Sequence, residues 1–211
     1  MPGFLHRFRF RLLFLSSVFM LLVLGFPQPP LALDQAALLM LVLCGINSLP
    51  QRRGWIILAG LFGGLGVLLS LLAELNGHPS YFDRTPPLLA FYAVLLFTLF
   101  RRVTRERPVT GELLYGLSAL YLQLALAYAL LYALIQRYWP GGFGPPGSDL
   151  HLDSFVYFSL ITLTTVGYGD IQPLVPITRL LATSEAVLGV LFISVAVARG
   201  LALMNEPANR L

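Results

Sequence analysis

The chain carries repeated apolar runs about as long as a bilayer is thick, and this limits its fold more than any other feature. Six stand out, at 12–26, 31–49, 55–75, 86–100, 112–136 and 177–203. About 20 apolar residues let a helix cross a hydrocarbon core of ~30 Å. Backbone polar groups must be paired internally in lipid, so runs of this kind predict helices. Charged residues are 11% of the chain and hydrophobic ones 57%, whereas about a quarter of a soluble domain is charged. The first and fourth runs are short. Arginines flank both (Arg7, Arg9 and Arg11; Arg101 and Arg102), and their stems can lie in the apolar layer while their heads reach the interface. The expected fold class is an all-α membrane protein with six transmembrane helices.

The breaks between runs have local causes. Phe26-Pro-Gln-Pro-Pro30 cannot continue a helix, because proline lacks the N–H and clashes with the preceding turn. Pro86-Pro87 suits a helix start. Asn76-Gly77-His78-Pro79 reads as a turn. Residues 1–32 faintly resemble a signal peptide, but Pro30 makes Pro30-Leu31-Ala32 a poor cleavage signal.

The net charge of +4 is not a nucleic-acid signal: all 14 basic residues are arginines, and they cluster at segment ends. With the N-terminus inside, 11 of the 14 lie on the inner side, and only Arg84, Arg137 and Arg179 lie outside. That asymmetry predicts a multi-pass protein of the cell membrane with both termini cytoplasmic. Cys44 lies alone in an apolar run and reads as a packing residue. His6, His78 and His151 are scattered loop residues. With no nucleophile–base pair and no phosphate-binding loop, an enzyme has little support.

One connection does not fit a plain helix bundle. Between the last two runs lies Pro140-Gly-Gly-Phe-Gly-Pro-Pro-Gly147, then a short apolar stretch, Ser154 to Leu163, then Thr162-Leu-Thr-Thr-Val-Gly-Tyr-Gly-Asp170. The apolar stretch is too short to span but suits a re-entrant helix, with Asp153 or Ser154 as its cap. The C-terminal end of such a helix presents partial negative charge, which favours a cation. Glycines at 167 and 169 permit backbone conformations in which successive carbonyls point one way. A ring of such carbonyls can replace the water around a dehydrated cation, and the Thr165 hydroxyl adds an oxygen.

The segment TTVGYGD, Thr164 to Asp170, resembles the selectivity-filter signature of the potassium-channel pore-loop family. The resemblance covers about residues 112–204. It implies a pore module at 111–204: outer helix 112–136, turret 137–152, pore helix 153–164, filter 165–169 and inner helix 177–203, followed by a cytoplasmic tail at 205–211. By this analogy Thr165, Val166, Gly167, Tyr168 and Gly169 carry the ion sites, with K+ held at Thr165, Val166, Gly167 and Tyr168. Asp170, Thr164 and Thr162 support the filter. One chain supplies one such segment, so the resemblance implies a homotetramer with a fourfold pore, embedded in lipid, with K+ as permeant ion and no organic cofactor.

The sequence departs from part of the family at Ile161, where some members carry a glutamate that pairs with the aspartate after the filter. Tyr157, Thr162 and Tyr168 are the remaining candidates for that support. Gly189 lies where the family commonly has a hinge; close helix packing is the other reading. Ile193, Val197 and Leu201 form one stripe, facing either the ion cavity or lipid and neighbouring helices. Glu185, deep in an apolar helix, implies a structural or gating role, protonated or paired with Ser184 or Thr183 of an adjacent chain. The tyrosines at 115, 121, 128 and 132 are expected to pack or to sit at interfaces.

Residues 1–110 read as a four-helix module of unknown task. Its third run holds Gly60, Gly63, Gly64 and Gly66, including Gly60-x-x-x-Gly64, expected to allow close helix approach. Its fourth run has no charge until Arg101, so it lacks the repeated arginines of a voltage sensor. After Leu203 eight residues remain, too few for a ligand-sensing domain. The expected function is passive, weakly voltage-dependent K+ conduction. The alternatives are a potassium-uptake transporter subunit, disfavoured by the single filter segment, and a non-conducting scaffold or sensor subunit.

Overall fold

The computed structural model describes residues 8–26, 29–75, 81–105, 111–145 and 149–205. The elements are α1 (Arg9–Leu24), α2 (Leu31–Ser48), α3 (Arg53–Leu75), α4 (Tyr81–Arg105), α5 (Gly111–Tyr138), β1 (Phe143–Gly144), α6 (Leu152–Leu163), β2 (Gln172–Pro173) and α7 (Pro176–Asn205). Among the described residues, five helices, α2, α3, α4, α5 and α7, are long and apolar enough to cross a membrane. The 16 residues of α1 rise only about 24 Å. The turn expected at 76–79, Pro27, Pro146, Gly147, His6, Arg7, Arg107, Arg210 and the tail at 206–211 lie outside the described residues.

Helix α5 is the hub. It packs against α1 and α4 of the N-terminal module and against α6 and α7 of the C-terminal one, while α2 and α3 close the module behind α1 and α4. The main core runs through this contact, with Phe10 and Leu13 of α1, Leu41 of α2, Phe91 and Leu95 of α4, and Ala129 of α5 all buried, and a smaller cluster of Val103, Leu113 and Leu117 lies apart from it. Cys44 packs half-buried against it, as expected.

Polar groups tie the helices at defined points. Glu112 of α5 accepts from the amides of Phe10 (3.0 Å) and Arg11 (3.2 Å) at the start of α1, and its second oxygen meets Arg11 Nε at 2.9 Å. A carboxylate there satisfies otherwise unpaired amides and complements the helix dipole. Gln123 of α5 donates to Ser17 of α1 at 2.7 Å.

Three expectations for the module change. Pro86 and Pro87 lie inside α4 rather than at its start. The reason the helix begins earlier is Arg84, expected in an outer loop but buried in α4, where its Nη1 donates to Asp34 Oδ2 of α2 (3.0 Å) and Ser70 Oγ of α3 (2.6 Å). The expected Gly60–Gly64 contact is absent within the chain, since a Cβ at either would meet nothing. The close approach is made by Gly63 and Gly66, where a Cβ would lie 2.6 Å from Val42 and 2.6 Å from Leu88. α3 therefore buries the face one residue round from the motif.

The turret is tied down by a two-residue antiparallel ladder, which the sequence does not announce. Phe143 pairs with Pro173 and Gly144 with Gln172. Thr178 Oγ1, at the start of α7, donates to the Gly142 carbonyl at 2.9 Å. The Phe143 ring inserts among Tyr132, Phe155 and Phe158, with centroids 5.1–5.5 Å away. The extension after α5 is thereby anchored to the first turns of α6.

Candidate ion-conduction site

Helix α6 spans 12 residues, Leu152–Leu163. Its N-cap position is His151 and no side chain caps it, so neither Asp153 nor Ser154 takes the expected capping role; Asp153 lies in the first turn. The other end shapes the site. A helix leaves its last four carbonyls without intrahelical partners, and here each has a donor. Leu160 O accepts from the Thr164 amide (3.0 Å) and the Thr164 hydroxyl (2.6 Å). Ile161 O accepts from the amides of Val166 (2.9 Å) and Gly167 (3.2 Å), and Thr162 O accepts from Thr165 N (3.0 Å). Leu163 O accepts from Tyr121 Oη of α5 at 3.0 Å. The segment after the helix is thus held against the helix end by its own amides.

From there the backbone alternates. Thr165, Gly167 and Gly169 have φ of 61°, 55° and 80°, while Val166 and Tyr168 between them do not have positive φ. Two successive peptides in one conformation would point their carbonyls to opposite sides; alternation turns them toward the same side. Glycine adopts positive φ without a steric cost. Thr165 is β-branched, and its left-handed conformation costs about 1–2 kcal/mol, offset by the amide bonds to Thr162 and Ile161. Residues 164–170 are exposed in the single chain.

Of the three candidates for support at Asp170, it is Tyr157 that supplies it, one helical turn before Ile161. Its hydroxyl donates to Asp170 Oδ2 at 2.7 Å. That bond, with a smaller contribution from burial, pushes the phenol pKa up from its ordinary value, so Tyr157 stays protonated and donating across the neutral range. Thr162 contributes its carbonyl, and the Tyr168 ring is exposed. Gln172 Nε2 donates to Gly169 O at 2.9 Å, closing the C-terminal end of the stretch.

Glu185 of α7 is fully buried, and its partners are in its own chain. Tyr132 Oη donates to Oε2 at 2.5 Å, and Ser159 of α6 meets Oε1. The expected pairing with Ser184 or Thr183 of a neighbour is replaced: Ser184 pairs with Tyr128 Oη at 2.9 Å and Thr183 donates to Arg179 O. Ser159 Oγ also lies 2.8 Å from the Ala125 carbonyl. A serine has one hydrogen. All these oxygens are paired together when Glu185 carries a proton and donates to Ser159, leaving the serine hydrogen for Ala125. Glu185 and Ser159 therefore join α5, α6 and α7.

The tyrosine contributions were not legible as packing residues. Tyr121, Tyr128 and Tyr132 of α5 donate or pair at Leu163, Ser184 and Glu185. Their spacing of seven and then four residues marks one helix face, the signal that could have grouped them. Tyr115 lies apart, edge-on to Phe14.

Gly189 is where α7 crosses the end of α6. A Cβ there would lie 2.2 Å from Leu163 O and 3.1 Å from its carbonyl carbon. The close packing expected as one reading of this glycine is present. Ile193, Val197 and Leu201 are exposed in the chain. Near the C-terminal end of α7, Arg199 donates to the Thr104 carbonyl of α4.

A bundle of apolar helices in which a short non-spanning helix is followed by a stretch of alternating positive φ is consistent with a membrane ion channel. The comparisons agree. A family model described as "Ion channel" matches residues 120–206. Protein LctB of Geobacillus stearothermophilus is 35% identical over 117 residues, covering 51% of this chain and 87% of that protein. Protein LctB of Bacillus caldotenax is 30% identical over 104 residues, 46% of this chain and 77% of that protein. The inward rectifier potassium channel Kirbac3.1 of Paramagnetospirillum magnetotacticum is 35% identical over 109 residues, 50% of this chain and 33% of that protein. The chain belongs to the potassium-channel pore-loop family.

Proposed function

We propose that the chain is the subunit of a potassium-selective channel, passing K+ passively through a pore formed by four copies. The observation that carries this reading is the alternation of positive φ at Thr165, Gly167 and Gly169. A single chain offers an ion only one side of a coordination shell; four chains around an axis complete it with carbonyls from Thr165, Val166, Gly167 and Tyr168 and the Thr165 hydroxyl. Uncovered apolar surface supports assembly: only 11% of the hydrophobic window of α7 is buried in its own chain. Ile193, Val197 and Leu201 then line the inner cavity or the subunit contact.

In this reading α1 is a sixth span, both termini are cytoplasmic, and the filter faces outward in the cell membrane. Voltage dependence is weak, because α4 carries no charge between Arg84 and Arg101, and Arg84 is locked to Asp34. Asp170, Tyr157, Thr164 and Glu185 hold the filter's shape without touching the ion.

Flux from liposomes containing the purified protein tests this, comparing K+ with Na+ and using Gly167→Ala as control. K+-selective flux that is lost in the variant is expected. Equal K+ and Na+ flux in the wild type refutes selectivity, and intact tetramers without flux under any applied voltage favour a scaffold role.

A further inference from the structure

Between the C-terminal half of α4, the N-terminal half of α5 and the middle of α7 lies a cavity of about 510 Å³. Its walls include Phe100, Val103, Leu117, Leu124, Leu191 and Phe192. We propose that this cavity holds an acyl chain of a bilayer lipid. The choice of occupant rests on the fourfold assembly proposed above; conduction is not required.

Four observations point to that ligand. The first is the chemistry of the walls. Among the described lining residues only Thr104 and Ser194 carry a polar side-chain atom. Both hydroxyls are bonded within their own helices: Thr104 Oγ1 donates to Phe100 O at 2.8 Å and Ser194 Oγ to Val190 O at 3.0 Å. A buried water needs about two to four polar partners, and these walls do not offer them, so the occupant is apolar. The second is position. The lining residues fall within the stretches of α4, α5 and α7 that are long and apolar enough to cross a membrane. The medium there is hydrocarbon, and Phe100 and Leu191, 57% and 56% exposed, open the cavity to it. The third is direction. A helix turns by about 100° per residue, so Leu188, Leu191 and Val195 of the cavity wall point roughly opposite to Ile193, Val197 and Leu201. A fourfold ring that gathers the Ile193 stripe toward its axis turns the cavity away from the axis, toward lipid. The fourth is size. The volume falls in the range of small-ligand pockets, about 300–1,000 Å³, whereas close-packed interiors keep few voids larger than a water. An acyl chain placed here packs on Phe192, whose ring lies 5.1 Å from that of Tyr121, the donor to Leu163 O.

The test uses the full chain in nanodiscs of phosphatidylcholine whose acyl chains carry bromine, a contact quencher of tryptophan emission. Trp55 and Trp139 are the only tryptophans, so Trp55→Phe/Trp139→Phe is the silent background. In it Phe192→Trp reports on the cavity, and Leu61→Trp, at a position of α3 that is 60% exposed, reports on lipid at the surface. Both reporters are expected to be quenched. Val195→Phe and Leu188→Phe each fill the cavity from α7. Each should weaken quenching of the Phe192→Trp reporter by at least about twofold, because side chain and acyl chain compete for one close-packed volume. Neither should change the Leu61→Trp reporter. Thermal midpoints matching the parent separate a filled cavity from lost folding. A Phe192→Trp reporter that stays unquenched while Leu61→Trp is quenched overturns the proposal in favour of protein covering the cavity. Quenching that neither filling variant weakens overturns it in favour of lipid at the outer surface alone. Native mass spectrometry counts the copies. Variant-sensitive quenching without tetramers supports the lipid site and refutes the fourfold reading instead.

Discussion

Replacing Gly189 by alanine probes the point where α7 touches the C-terminal end of α6. The new Cβ would lie 2.2 Å from Leu163 O, whereas ordinary contact begins at 3.4 Å. The two helices must therefore part by about 1.2 Å, the difference of those distances. Both sides of the contact are backbone, so no rotamer change relieves it. Alanine gains about 1 kcal/mol in helix propensity, against overpacking of about 1–3 kcal/mol, and the net change in stability is small. The functional change is larger, because Leu163 lies two residues before Thr165 and its carbonyl is also gripped by Tyr121. A shift of about 1 Å exceeds the tolerance of a preorganised site, about 0.5 Å. Paired K+ and Na+ flux measurements with a thermal midpoint are the assay. The expected result for Gly189→Ala is a reduced K+/Na+ ratio with a midpoint changed by only a few degrees. Coupling to Tyr121→Phe should be non-additive, since both act on one carbonyl. Unchanged selectivity with altered open time would refute the packing argument and favour a hinge.

Other positions make separate predictions. Tyr157→Phe removes the donor to Asp170 and should speed the decline of K+ current during sustained opening, with little change in thermal midpoint; an unaltered current time course would show that Asp170 does not need it. Glu185→Gln should behave like the wild type, because its amide can donate to Ser159 while its oxygen accepts from Tyr132, whereas Glu185→Ala should lose about 2–5 kcal/mol of stability by leaving buried groups unpaired. Equal damage from both would indicate an ionised carboxylate. Asp34→Asn should destabilise the module by about 3–5 kcal/mol, since Arg84 loses its buried counter-charge, and denaturant unfolding in detergent measures it. Gly63→Ala should lower the thermal midpoint while Gly64→Ala does not, because only the first Cβ meets a neighbour in the chain.

Much of this architecture is legible along the chain because its causes are local in sequence. The apolar runs announce the helices, the prolines and glycines mark several breaks, and TTVGYGD marks the carbonyl strand, since positive φ at 167 and 169 is a property of glycine itself. Boundaries moved where tertiary contacts intervened. α4 starts earlier than Pro86 because Arg84 finds Asp34 and Ser70 on two other helices. The apparent Gly60–Gly64 motif yields to Gly63 and Gly66, because the buried face of a helix is chosen by its neighbours, not by the spacing of small residues.

By itself the sequence determined the membrane environment, the order of helices and the segment at 164–170 that breaks the helical pattern, all set by hydrophobicity and backbone freedom over a few consecutive residues. Only the tertiary structure decided what holds that segment in shape. Tyr157 reaches Asp170 across 13 positions, Tyr132 reaches Glu185 across 53, and Tyr121 reaches Leu163 across 42. Which polar groups meet depends on how helices rotate and cross once packed, and a buried donor is paired with whatever acceptor that packing brings within about 3 Å.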